Sequence, residues 1–197
     1  AELAMESFVG TVVDVLVRID TVTMEHVVEL RTPLATKLLT SVTGLGSATA
    51  AFVFLGVCYL AGWDEELRRG AVALSLTGVA VLTLMATVQR TFPANPVCVT
   101  DGAETVATSF PSGHAAAVTV YAMVARDSDE LPFTAVAGLS TLVAVSRIYL
   151  GTHYLTDTVA GVAIGLAAFL TAEWLLGRKD VAAVAQRCRD AVARVTG

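Results

Sequence analysis

Residues 132–176 read PFTAVAGLSTLVAVSRIYLGTHYLTDTVAGVAIGLAAFLTAEWLL. Two apolar runs, Pro132 to Tyr149 and Thr158 to Leu176, flank a short polar stretch, and each run is apolar all round rather than along one stripe. A bilayer core about 30 Å thick takes roughly 20 helical residues to cross. A helix with no polar face belongs in lipid or enclosed by other helices. The reading is a pair of membrane helices whose connection holds Ser146, Arg147, His153 and Asp157 at one bilayer face. Pro132 suits the first turn of its helix, where no N–H is needed.

Working outward, the pattern recurs upstream. Gly44 to Gly62 (or a start nearer Leu38), Gly70 to Val88 and Ser112 to Ala125 are three further apolar runs, the last so short that its helix is expected to continue toward Glu130. Composition agrees: of 197 residues 55% are hydrophobic and 16% charged, with a mean hydropathy of +0.68, whereas a soluble domain is about a quarter charged. The expected fold is all-α, one polytopic transmembrane bundle of five to six membrane helices over residues 38–177. Residues 1–37 alternate apolar and charged side chains at helical spacing and are expected to lie in the interface as one or two amphipathic helices. Asp14, Arg18 and Asp20 would be costly in a sixth span. Residues 178–197 are expected to form an amphipathic tail. Arg68, Arg69, Arg126, Arg178 and Lys179 fall on one side of a five-helix count. The positive-inside rule then places the tail in the cytoplasm and the opposite face outside, in a multi-pass cell membrane protein.

Several function classes drop out. A net charge of −5 and a pI near 5.1 offer no basic surface for nucleic acid. Cys58, Cys98 and Cys188 lack paired spacing, so neither a disulfide framework nor a zinc site is expected. No basic segment followed by an apolar run opens the sequence, so no signal peptide is expected.

The chemistry sits at helix ends. In order, one helix ends at Gln89-Arg90, the next begins at Pro111-Ser112-Gly113-His114, the next ends at Ser146-Arg147, and the last begins at His153 with Asp157 one turn on. Alternating helices bring all four places to one face, and ionisable groups at membrane depth are functional candidates. Arg147 and Arg90 are fixed cations suited to an oxyanion. Ser112, Gly113 and His114 open a helix, whose unpaired N–H groups and dipole favour an anion; Gly113 lets backbone approach closely. His153 and Asp157 are an i,i+4 pair on one helical face, in which the carboxylate would fix the tautomer and leave one nitrogen free to attack. His114 would protonate a leaving alkoxide. Taken singly, Arg90 is an interface anchor, Asp157 a helix cap and Ser-Gly a plain helix start; their joint placement argues for a phosphoryl-transfer site. A zinc site is the chemical rival, opposed by the lack of metal-ligand spacing and by the two nearby arginines. Gly161 and Gly165 let another helix approach, as bundle packing.

Pro111-Ser112-Gly113-His114 and Ser146-Arg147-x5-His153-x3-Asp157 resemble the second and third signature motifs of the type-2 phosphatidic acid phosphatase (PAP2) superfamily, in its membrane lipid phosphatase branch. The resemblance covers roughly residues 40–176 and implies a helical bundle that hydrolyses through a phosphohistidine on His153. It also implies that Asp157 orients this histidine, that His114 protonates the leaving group, and that Ser112, Gly113 and Arg147 hold the phosphate without metal or other cofactor. The first family motif, Lys-x6-Arg-Pro, is altered in TLMATVQRTFPANP. Either Arg90 stands for its arginine, with Thr83 at the lysine and Thr91 at the proline, or Arg90 replaces the lysine and Asn95-Pro96 the Arg-Pro. The expected substrate is a lipid phosphate or diphosphate among membrane lipids. A catalytically idle lipid-phosphate binder and a phosphotransferase are the alternatives. Soluble vanadium haloperoxidases share the motifs but not these apolar helices.

Overall fold

The structure, a computed structural model, describes residues 2–94, 96–97 and 108–177, with side chains from Gly10 onward. Among them it is all-helical: α1 (Glu2–Glu29), α2 (Pro33–Thr43), a 3-10 turn (Gly44–Gly46), α3 (Ala48–Ala61), α4 (Asp64–Thr87), α5 (Gly113–Arg126), α6 (Phe133–Tyr149) and α7 (Leu155–Leu176). The tail 178–197, Asn95, Cys98 and Cys188 lie outside the described residues.

Helix ends follow local chemistry. Thr32 caps α2, accepting from the Ala35 N–H, and Pro33 opens it. The expected first span is broken: Ser47 accepts from the Ala50 N–H and starts a new helix, so α2 with its 3-10 turn and α3 meet at 62°. Gly62, at φ 75°, ends α3 in the left-handed region glycine adopts freely. α4 begins at Asp64, not Gly70, because Asp64, Glu65 and Glu66 in its first turn favour the positive end of the helix dipole. α5 stops at Arg126 and does not continue to Glu130; Ser128 instead accepts from the Glu130 and Leu131 N–H groups and turns the chain into α6. The boundary expected at residue 37 falls inside α2, where side chains alone gave no break.

Among the described residues two helices, α4 and α7, are long and apolar enough to cross a membrane, and the bent pair α2–α3 counts as a third. α5 and α6, at 14 and 17 residues, are shorter than a perpendicular crossing takes. α5 is the hub. Ala73 of α4, Val120 and Val124 of α5, and Phe169 and Ala172 of α7 form one buried cluster, and Ala117, Val118 and Tyr121 pack on Val143 of α6 as a second. Small residues set the α5–α7 distance: a Cβ on Gly161 would stand 2.3 Å from the Ser112 carbonyl oxygen, and one on Gly165 2.4 Å from that of Ala116. The outer surface carries bare apolar side chains, Phe52 at 76% and Leu60 at 85% exposure, which suits lipid and not water. Away from the site, buried Glu66 accepts from the Ser128 hydroxyl at 2.6 Å, and Arg69 pairs with Glu65 and Glu173.

Candidate active site

The C-terminal ends of α4 and α6 and the N-terminal ends of α5 and α7 converge, as alternating helices should. Ser109 N–H donates to the Arg90 carbonyl at 2.8 Å and Ser112 N–H to the Asp157 carbonyl at 3.0 Å. These two backbone bonds join the post-α4 segment to the approach to α5, and the start of α5 to the start of α7.

The spacing between Arg147 and His153 acquires a local reason. α6 ends with Leu150 N–H on the Ser146 carbonyl, and Gly151 takes φ 70°. The chain folds back so that the N–H groups of Thr152 and His153 both donate to the Arg147 carbonyl, at 3.1 and 3.2 Å. His153 is thus tethered to the residue whose side chain bears the nearby positive charge. That guanidinium donates through Nη1 to Thr43 Oγ1 at 2.9 Å, and the Ser146 hydroxyl reaches the same Thr43 oxygen. His114, half-buried in the first turn of α5, interacts electrostatically with both Arg147 and His153. Gly46 lies directly on it: a Cβ there would come within 2.8 Å of the His114 Cβ.

His153 is buried, and its Nδ1 lies 2.6 Å from the Ser109 carbonyl oxygen. A carbonyl only accepts, so Nδ1 carries the proton and Nε2 is left as the basic nitrogen. Burial and the charge of Arg147 hold the imidazole well below its usual range, at about 4, against the opposing pull of the Ser109 carbonyl. The ring is neutral at physiological pH.

Here the structure differs from the sequence reading. Asp157 does not bond the His153 ring. One of its carboxylate oxygens accepts from the Tyr154 N–H at 2.9 Å, at the start of α7, and the other is paired with Arg90. The i,i+4 spacing puts the two residues on one face only if both are helical, and α7 begins at Leu155, after His153. Arg90 is likewise engaged. Its Nη1 bonds Asp157 and, at 2.7 Å, Thr156 Oγ1; its Nη2 pairs with Asp20 of α1; its guanidinium lies 4.2 Å over the Tyr154 ring. Ser112 is fully buried and caps α5, accepting from the Ala115 N–H. A Cβ on Gly113 would meet only Val81, at 3.5 Å, so the protein itself does not demand glycine there. Thr83, at the lysine position of one motif alignment, donates back to the Val79 carbonyl on the exposed side of α4.

Sequence reasoning missed Asp20, Thr43, Gly46, Ser109 and Thr156. Asp20 gave a signal that was read only as a cost: a carboxylate within an apolar helix needs a partner. Ser109 meets the His153 ring through its backbone carbonyl, a contact that leaves no trace in residue type. Among the described residues no three His, Cys, Asp or Glu side chains converge as a metal site.

An apolar cavity of about 390 Å³ adjoins these groups, bounded by Phe52 and Leu55 of α3, Leu74 and Val81 of α4, and His114 and Ala117 of α5. The fold and this site define a helical protein with a membrane-suited surface, in which two histidines, His114 and His153, and two arginines, Arg90 and Arg147, gather at one end of an apolar bundle. The chain belongs to the PAP2 superfamily, whose profile matches residues 32–180.

Over 101 residues it is 37% identical to the decaprenylphosphoryl-5-phosphoribose phosphatase of Mycobacterium tuberculosis, a stretch making up 51% of this chain and 55% of that protein. It is 40% identical over 72 residues to phosphatidylglycerophosphatase B of Bacillus subtilis, covering 31% and 36% of the two. The chain therefore spans about half the length, or less, of these curated relatives. In fold it is similar to Aquifex aeolicus LpxE, with a TM-score of 0.69 at 24% identity over 78% of this chain and 93% of that one. It is also similar to a transmembrane PAP2-type phosphatidylglycerolphosphate phosphatase from Bacillus subtilis, with a TM-score of 0.64 at 23% identity, covering 78% and 82%.

Proposed function

We propose that this chain is an integral-membrane phosphatase that hydrolyses a lipid phosphate or isoprenoid diphosphate through a phosphohistidine on His153, without metal, at the outer face of a five- to six-span bundle. The observation that carries the reading is a neutral, buried His153 beside Arg147 and His114, with an apolar cavity touching His114. The names of the curated relatives support a phosphate carried on a lipid.

His153 Nε2 attacks phosphorus as the P–O ester bond breaks, and His114, in its protonated form, gives its proton to the leaving oxygen. Water then attacks the phosphohistidine and gives a proton to the now neutral His114, the N–P bond breaks, inorganic phosphate leaves, and His153 returns to its neutral form with His114 protonated again. Arg147 and the N–H groups opening α5 hold the phosphoryl oxygens. The Ser109 carbonyl holds the reactive tautomer and takes up part of the positive charge that develops on the ring.

The test is phosphate release by purified protein in detergent from phosphatidic acid, phosphatidylglycerol phosphate and an isoprenoid diphosphate, with and without EDTA. Release should persist in chelator, and His153→Ala should abolish turnover and the trapped phosphoenzyme. His114→Ala should lose about 100- to 10,000-fold on lipid substrates and much less on a nitrophenyl phosphate, whose leaving group needs little protonation. Rescue by zinc or magnesium after chelation would overturn the metal-free chemistry. No release from any of the lipids would overturn the function.

A further inference from the structure

α1 precedes the family-matched stretch, which begins at residue 32. Yet it reaches the centre of the site. Asp20 is 1% exposed in a helix whose other described side chains are mostly bare. One carboxylate oxygen accepts from the Thr156 N–H at 3.0 Å; the other takes the Thr156 hydroxyl and pairs with Arg90.

Two physical consequences follow. First, the residue before α7, Tyr154, has no short oxygen-bearing side chain to reach the first-turn N–H groups; Asp157 bonds back to the N–H of Tyr154 itself, and Asp20 satisfies the first-turn N–H of Thr156 from another helix. His153 lies two residues ahead of the turn so fixed. Second, Arg90 is shared between two carboxylates, so the trio Asp20, Arg90 and Asp157 has a formal charge of −1. Hydrogen bonds between charged groups are strong and directional, and these spend both terminal nitrogens of Arg90 within the protein.

We propose that Asp20 is a positioning residue of the site: it clamps Arg90 onto Asp157, fixes the first turn of α7 behind His153, and limits how much of the Arg90 charge faces the substrate phosphate. In this chain the altered first motif and Asp20 are two halves of one arrangement. Arg90 acts chiefly as a brace and only secondarily as a phosphate ligand. This rests on the phosphatase reading above.

The full chain in detergent carries the test, through Asp20→Asn, Asp20→Glu, Arg90→Ala and the double variant Asp20→Asn/Arg90→Ala. Turnover, KM, inhibition by inorganic phosphate and thermal unfolding are measured for each. The amide oxygen of Asp20→Asn can still accept from Thr156, so the fold persists while the negative charge paired with Arg90 is lost. Turnover should fall about tenfold, and inorganic phosphate should bind several-fold more tightly, as expected when a charged hydrogen bond is released toward an anion. Asp20→Glu, which keeps the charge, should stay near the wild-type phosphate affinity. In the Arg90→Ala background, Asp20→Asn should leave phosphate affinity unchanged, because the effect passes through Arg90. A lower unfolding temperature with phosphate affinity and KM unmoved would overturn the proposal, as would independent effects of the two substitutions. Wild-type protein that neither releases nor binds phosphate would overturn the phosphatase reading and this proposal with it.

Discussion

His153 stands between a backbone carbonyl and a guanidinium, out of water, and its proton affinity follows from that position. With a folded value of about 4 against a usual 6.5, the native protein keeps this imidazole neutral where the unfolded chain would protonate it. Between those two values the unfolded state binds more protons, so the stability from this group is fully present above pH 6.5 and declines as pH falls toward 4. NMR titration of the substrate-free protein should give His153 a midpoint near 4; a midpoint near 6.5 would show that the ring is solvated. At this scale the sequence was informative where chemistry and chain distance coincide. Arg147 and His153 were legible together because a glycine turn brings the peptide N–H of one to the carbonyl of the other. The acceptor for the His153 ring was not legible: Ser109 lies 44 positions away and offers only its carbonyl oxygen. Asp157 was assigned by helical spacing to a partner that lies outside the helix.

The elements owe their placement to small residues and to caps. Gly161 brings α7 against the carbonyl that ends the approach to α5. Gly161→Ala forces the two backbones apart at Ser112, and overpacking of this kind typically costs about 1–3 kcal/mol. Thermal unfolding should fall accordingly and turnover should fall with it, since the displaced residue opens the end of α5 proposed to bind phosphate. Gly138→Ala on α6, where an added Cβ meets nothing, should hold or gain roughly 0.5–1 kcal/mol. Equal effects from the two substitutions would mean that α5 and α7 are not in close contact. The apolar runs located α3 to α7 from sequence, because lipid imposes a composition no loop shares. The bend at Ser47 and the early start of α4 escaped, since each depends on a cap or a dipole worth about one kcal/mol against a long apolar signal. α1 was seen as a helix, but its attachment was invisible, because one buried carboxylate among exposed valines has no periodicity.

Across the whole molecule, the site end and the charged end separate along the bundle. Arg90, His114, Arg147 and His153 lie at one end; Glu66, Arg69 and Ser128 tie the other. From the positive-inside count we propose that the site end is extracytoplasmic and that the connection between α4 and α5 is on the same side. In intact cells a membrane-impermeant thiol reagent should label Cys98 once Cys58 and Cys188 have been replaced; labelling only after lysis would invert the orientation. The 62° bend between α2 and α3 has a kinetic corollary. Its 3-10 turn packs on His114, and beyond it α3 walls the cavity with Phe52 and Leu55, so the groove beside the histidine is sided by greasy helices and not by a watery vestibule. A reactant arriving that way is counted per unit of membrane area and not per litre. Diluting the lipid phosphate with inert lipid or detergent at constant bulk concentration should slow the enzyme in proportion to surface mole fraction, while a short-chain, water-soluble analogue should be indifferent to that dilution.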